Sequence, residues 1–539
     1  MSTIQPHSLT KRRVFFRYWL PWLIIGLAGL AILAIWWLPD EGFARANRVV
    51  GSIMIGILGG LLVSVWFLFL SALRWWVRLS FVLAVAGAGF LLTREIRDFK
   101  FTGDMVPIVR FSWDPEPEDV LEKHRKAQAQ GQVPKIKLTD EKPTDFLEYR
   151  GRNRDGIVSG PPLARDWKTY PPRQLWRQPV GGGYAGFTVT GNALVTLEQR
   201  HDQEVIVCYD TETGGQHWTY SYKALFKETL GGAGPRATPT IAGGDVFSLG
   251  ATGKLVCLGL TSGSLKWSVD ILKDNQNIPW GMSGSPLVFD KVVVVNPGAQ
   301  TAAAAGRALV AYDRSTGDEV WQGGKHRAGY SSPMLVTLAG RRQILLFDGE
   351  GIGGYDCQTG TELWWHEWET MNGINVAQPM VLEGDRIFVS SAYGVGCNVF
   401  HIVNSGTVLK AEPVWSAPNK KMQCKFTSPV AYQGFLYGLD EGYLACLDPA
   451  TGERPWKGRN YGHGQLLLSG DLLVILGERG NLALVRASPQ WDGSTQNEVA
   501  SMPALHGKTW NCFALVDGVA YVRNDSEMAC YDLKEPAQK

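Results

Sequence analysis

Hydrophobic and polar positions divide the chain into three stretches. The first holds three nearly unbroken apolar runs, Tyr18 to Leu38, Val49 to Leu70 and Val77 to Leu92. The first two are long enough to cross a hydrocarbon core of about 30 Å, and the third is near the lower limit. Trp36, Trp37, Trp75 and Trp76 stand at the ends of runs, where an aromatic belt lies. The first run is no signal peptide: it lacks a small-residue cleavage site, and further apolar runs follow it. Residues 1–93 are expected to form a membrane anchor of about three helices. Lys11, Arg12, Arg13 and Arg17 precede the first run, and Arg74 and Arg78 lie between the second and third. The positive-inside rule puts both groups in the cytoplasm, so the chain after Arg94 lies outside the inner membrane, in the periplasm of a Gram-negative cell.

Residues 94–147 show no sustained period and are expected to be a tether. Pro115 to Gln132 is polar enough for a short surface helix, and the remainder is rich in Lys, Asp and Pro.

From residue 148 to 539 the pattern becomes short apolar runs between Gly-rich turns, such as EVIVCYD, KVVVVNP and DLLVILGE. This is an all-β signature. One phrase recurs, as YDRSTGDEVW, YDCQTGTELW and CLDPATGERPW. Its anchors are Asp210, Asp313, Asp356, Asp448 and Asp532, with Gly259 in one copy and weaker copies at Phe400 to Gly406 and Leu484 to Gln490, roughly 40 to 54 residues apart. That period belongs to four-stranded propeller blades. The Asp starts a turn, a Gly (Gly214, Gly263, Gly317, Gly360 or Gly452) takes positive φ, and a Trp on the returning strand covers the gap between sheets. A second phrase opens each unit, from GGGYAGF at 181 to WNCFALV at 510, eight times in all. The last unit lacks its Trp strand, which Arg173 to Val180 supplies, closing the ring.

These residues resemble the quinoprotein-like (PQQ-binding-like, BamB-like) propeller family, and EYRGRNRDG at 148–156 looks like the segment that opens many of its bacterial members. The resemblance implies an eight-bladed β-propeller behind the membrane helices. It also brings two functions: PQQ-dependent dehydrogenases, and BamB-like scaffolds of outer-membrane protein assembly. The dehydrogenase alternative implies PQQ with calcium and electrons passed to membrane quinone. The eight cysteines include no adjacent pair, and Cys208, Cys257, Cys446 and Cys530 each stand two residues before an anchor, as core residues would. No constellation of calcium ligands and an Asp base emerges, nor a haem-binding CxxCH. Gly349, Gly351 and Gly354 spell GxGxxG, but a blade turn follows where a dinucleotide site needs a helix.

Net charge is +2 with no basic stripe, which argues against a nucleic-acid partner. The opening phrases converge on the channel mouth. They bring Tyr184, Arg236, Trp280, Met282, Ser283, Tyr330, Asn375, Gln378, Lys425, Thr427, His463, Gln465, Trp510 and Asn511. This mix of aromatic, amide and cationic groups suits an anion, a sugar or a peptide segment; Arg236, His463, Tyr330, Lys425 and Asn511 are the leading ligand-binding candidates, with Arg236 and His463 the cations for an anionic ligand, and no catalytic or metal-binding residue is assigned. The preferred expectation is a non-catalytic binding or scaffolding module with protein partners at the cell envelope.

Overall fold

Each full copy of the Asp–Thr–Gly phrase folds as a bulged hairpin between the third and fourth strands of a sheet. In blade 1, Asp210 Oδ1 accepts the amides of Glu212 and Thr213 at 3.1 and 2.9 Å, and Gly214 N–H donates to the Asp210 carbonyl at 2.9 Å. Asp313, Asp356 and Asp448 accept turn amides in the same way. The strand register slips one residue before the anchor, between Cys208 and Tyr209, Ala311 and Tyr312, and Cys530 and Tyr531.

The protein is seen in a computed structural model that describes residues 8–38, 45–128, 135–137, 141–273, 275–406, 408–415, 418–491 and 497–535. The side chains of Lys11, Arg12, Arg13 and Arg17, and residues 129–132 of the expected polar helix, lie outside what is described. The chain forms two compact units, Met1–Asp114 and Pro115–Lys539.

In the first unit three helices, α1 (Ser8–Trp37), α2 (Arg45–Phe69) and α3 (Trp75–Glu95), are long and apolar enough to cross a membrane. Apart from the stripe where α1 and α2 meet (Gly51 against Ile35, Gly59 against Ala28), their mid-portions are exposed, as lipid-facing helices are (Leu30 64%, Leu58 58%, Leu83 63%). Arg78 at the start of α3 donates to the carbonyl of Leu68 in the last turn of α2, a group the helix end leaves open, and to that of Ser71 just beyond it. A hairpin follows α3 without a break: β1 (Ile96–Phe101) pairs antiparallel with β2 (Pro107–Phe111). The expected tether thus carries structure of its own.

The second unit opens with α4 (Pro117–Gln128), inside the expected polar segment. Leu121 is buried, and His124 and Gln128 reach the Gln178 carboxamide at 3.2 and 2.8 Å. One buried Leu per helix gives no periodic signal, which is why this docked helix reads as spacer.

Eight sheets of at least four strands make the eight-bladed propeller. Their inner strands are Thr188–Thr190, Thr240–Ala242, Leu287–Phe289, Met334–Leu338, Met380–Leu382, Val430–Tyr432, Gln465–Ser469 and Ala514–Val516. Strand Arg173–Pro179 completes the last sheet beside Glu527–Asp532, as the sequence implies. Gly351 and Gly354 lie inside strand Gly351–Asp356, so the GxGxxG is a blade strand.

The phrase Trp joins blades. Trp176, Trp218 and Trp267 donate Nε1–H to the carbonyls of Thr211, Leu260 and Arg314 in the next blade, at 2.8–3.0 Å. Each ring lies over the turn glycine there: a Cβ on Gly263 would meet Trp218 at 2.6 Å, and one on Gly317 would meet Trp267 at 2.8 Å. Blade 5 has a degenerate phrase, and Trp415 takes the place over Gly452.

Candidate functional site

The channel is stoppered by the chain itself. Residues 146–158 enter beside the far ends of the inner strands. Phe146 pairs with Val189, and Ile157 and Val158 run parallel to Leu468 and Ser469. From there Arg150 and Arg154, each 2% exposed, reach back toward the opening phrases. Arg150 donates to the carbonyls of Ser428, Pro429 and Leu466. Arg154 donates to those of Ser285, Pro286 and Pro333 and pairs with Glu148 at 2.7 Å. Both residues have positive φ. Tyr149 lies against Cys512 and Ser428; burial pushes its phenol up and the Cys512 thiol to about 11. In sequence, EYRGRNRDG shows a family likeness and no sign of this role, because a buried Arg carries no periodic signature.

Above this floor the opening phrases form a hydrogen-bonded belt. Gly186 N–H donates to Thr238 Oγ1, Thr238 N–H to Ser285 Oγ, Ser285 N–H to Ser332 Oγ, Ser332 N–H to Gln378 Oε1 and Gln378 N–H to Ser428 Oγ, all within 3.3 Å. The belt sorts the candidates. Asn511 gives its amide to the carbonyls of Gly183 and Ala185, and Gln465 to those of Phe426 and Trp510. Asn375 bonds Asp348 and Ser391, Thr427 bonds Gly464, and Ser283 bonds the Tyr330 carbonyl. Met282 is core. These side chains hold blades together.

The remaining candidates make an aromatic bowl. Tyr184, Trp510, Phe426 and His463 follow one another with centroid separations of 5.4, 4.6 and 5.8 Å, and Trp280 meets Tyr330 edge-on at 5.9 Å. Cations sit on the rings: Arg236 over Phe226 and Tyr184, Lys425 over Tyr393, and Lys508 over Trp510 at 3.8 Å. His463 itself is buried, with its backbone N–H toward Glu478. Phe226 and its neighbours form a small flap, strands Lys227–Glu228 and Gly232–Ala233, to which Tyr184 and Arg236 are bonded. Phe426 stands within an opening phrase and Lys508 just before one. Tyr393 and the flap come from other loops, which the repeat alone does not point to.

The charges are largely compensated. Arg236 pairs with Glu228 at 3.1 Å, and burial pulls its guanidinium below the ordinary value. Trp510 Nε1–H donates to the buried Glu478 at 2.7 Å, and Glu441 lies near Tyr393. The bowl thus sets paired charges beside ring faces. It shows no ready calcium cage: Glu228 and Glu478 already hold donors, and the described residues contain no group of three His, Cys, Asp or Glu side chains placed to hold a metal. A separate cleft of about 640 Å³ between blades 4 and 5 is lined by Arg327, Glu350, Trp365, Glu367 and Glu369. Glu350 there is held by Arg327 and His326, at 2.8 and 3.4 Å.

The chain resembles known proteins in the propeller. It is 27% identical over 256 residues to an outer membrane protein assembly factor BamB of Burkholderia pseudomallei, covering 45% of this chain and 61% of that one. The chain thus spans less than two thirds of that relative. Among solved structures, quinohemoprotein alcohol dehydrogenase from Comamonas testosteroni aligns with a TM-score of 0.50 at 11% identity, over 78% of this chain and 85% of that one. BamB from Moraxella catarrhalis aligns at 0.49 and 13% identity, over 67% and 99%. The family described as outer membrane protein assembly factor BamB matches residues 171–248 and 227–458. With more than half of its length matched, the chain belongs to that family.

Proposed function

We propose that this protein is a non-catalytic scaffold of the cell envelope, held in the inner membrane by α1–α3 with its propeller in the periplasm. Its aromatic bowl receives a segment of a partner polypeptide, in the manner of an assembly factor. One observation carries this reading: the bowl offers Tyr184, Trp280, Phe426 and Trp510 as partly exposed rings, while amides such as those of Gln465 and Asn511 are spent on neighbouring carbonyls. Such a surface binds by stacking and apolar contact, and two or three ring contacts at about 0.5–1.5 kcal/mol each suit a reversible hold on a chain. The family relationship supports a protein partner, and the bowl's donor set gives the PQQ dehydrogenase alternative no support.

The test is photo-cross-linking in cells from a benzoyl-phenylalanine placed at Trp280 or Trp510. Specific cross-links to envelope proteins, lost on Phe426→Ala, are expected. The reading fails if both sites stay silent while controls on the blade rims capture partners. Saturable one-to-one binding of PQQ with calcium by calorimetry would instead revive the dehydrogenase.

A further inference from the structure

The hairpin after α3 has two unlike faces. Strand alternation puts Phe99 and Phe101 of β1, Pro107, Val109 and Phe111 of β2, and Trp113 just beyond on one side. Asp98, Lys100, Arg110 and Ser112 fall on the other, with Ile108 the one large apolar side chain among them. A two-stranded hairpin cannot cover such a face by itself. Phe99 remains 48% exposed and Trp113 65%, although Trp113 stacks on Phe111 at 4.6 Å.

Its position says what covers it. β1 begins at Ile96, immediately after α3 ends at Glu95, so the hairpin lies where α3 would leave a bilayer. Its turn is tied to the same end of the helices, because Asp104 pairs with Arg45 at the start of α2 at 3.1 Å. Arg45 and Arg48 both lie over Trp36, next to the exposed Trp37, at the end of α1. Indole rings and cations gathered at one helix end are the composition of a membrane–water interface.

We propose that the β1–β2 hairpin lies in the lipid interface, with Phe99, Phe101, Val109, Phe111 and Trp113 inserted among the headgroups and upper acyl chains. It is a lateral anchor that fixes the height at which the chain leaves the bilayer. This rests on α1–α3 crossing the membrane. An interfacial element with such a face sits about 5–10 Å into the headgroup–acyl boundary.

The test uses the full chain in phosphatidylcholine nanodiscs, with Cys357→Ser and Cys512→Ser to remove the less buried thiols. Spin labels go singly at Phe99→Cys, Trp113→Cys, Lys100→Cys and Ser112→Cys, with Leu58→Cys in α2 as control. Relaxation by oxygen and by a water-soluble nickel chelate is read for each. The expected result alternates: oxygen dominates at 99 and 113, at that depth, and the chelate dominates at 100 and 112. Equal chelate access at all four sites puts the hairpin in water and overturns the proposal. Exclusion of both relaxants at 99 and 113 places a protein surface there and overturns it as well. If Leu58 shows chelate access, the membrane reading of α2 fails and the proposal with it; a lipid-like Leu58 beside a wet hairpin sinks the hairpin alone.

Discussion

At the scale of single residues, the turn glycines have two jobs that the sequence shows as one. Gly263 and Gly317 have φ of +65° and +79°, and each also leaves room for the Trp of the preceding blade. Replacing either by Ala adds left-handed strain and a clash, so Gly263→Ala should cost about 2–4 kcal/mol in urea unfolding. Gly340→Ala, at φ +73° but with open space beyond, should cost about 1 kcal/mol. A second residue-scale outcome concerns Asp348, whose carboxyl burial raises to about 7 against the pull of the Glu350 and Gly351 amides. Its raised folded value means the protonated form favours folding. That contribution is present below pH 4 and is lost as pH rises through 7, by about 4 kcal/mol. The pH dependence of unfolding should show this fall, and Asp348→Asn should flatten it.

At the scale of elements, regularity decided what could be read. Strands and turns repeat, so the blades and the strand Arg173–Pro179 that closes the ring are legible. Trp415 is hidden by a degenerate phrase, and α4 by having only Leu121 to bury. The channel stopper is hidden because its work is done by two arginines on backbone carbonyls. It should matter energetically: Arg154→Met strands the carbonyls of Ser285, Pro286 and Pro333 and the carboxylate of Glu148. A loss of about 3–5 kcal/mol is expected, with faster amide exchange over residues 146–158. Arg154→Lys keeps the charge but not the planar fork, and should recover only part of it.

For the whole molecule, ring closure makes the eight sheets interdependent. Arg523 of the last blade donates to Thr196 and the carbonyls of Leu197 and Gly181 in the first, adding a second fastening to the shared sheet. A chain lacking residues 173–179 should expose the edge of Glu527–Asp532 and associate, visible as a larger species by light scattering. The function was less legible than the fold for a related reason. The repeat located the mouth but could not tell which opening residues face solvent. Asn511 and Gln378 look as available in sequence as Trp510, and only the belt shows that they are occupied.

The stopper also has a mechanical consequence. The chain plugs the channel with residues 146–158 before it becomes the ring-closing strand at 173. Tension from the N-terminal side that frees α4 from Gln178 meets the stopper next. There it is spread over carbonyls of blades 3, 4, 6 and 7 through Arg150 and Arg154. The closing strand, which would otherwise peel one bond at a time like a zip, is relieved of the pull, much as a cable gland spares a soldered joint.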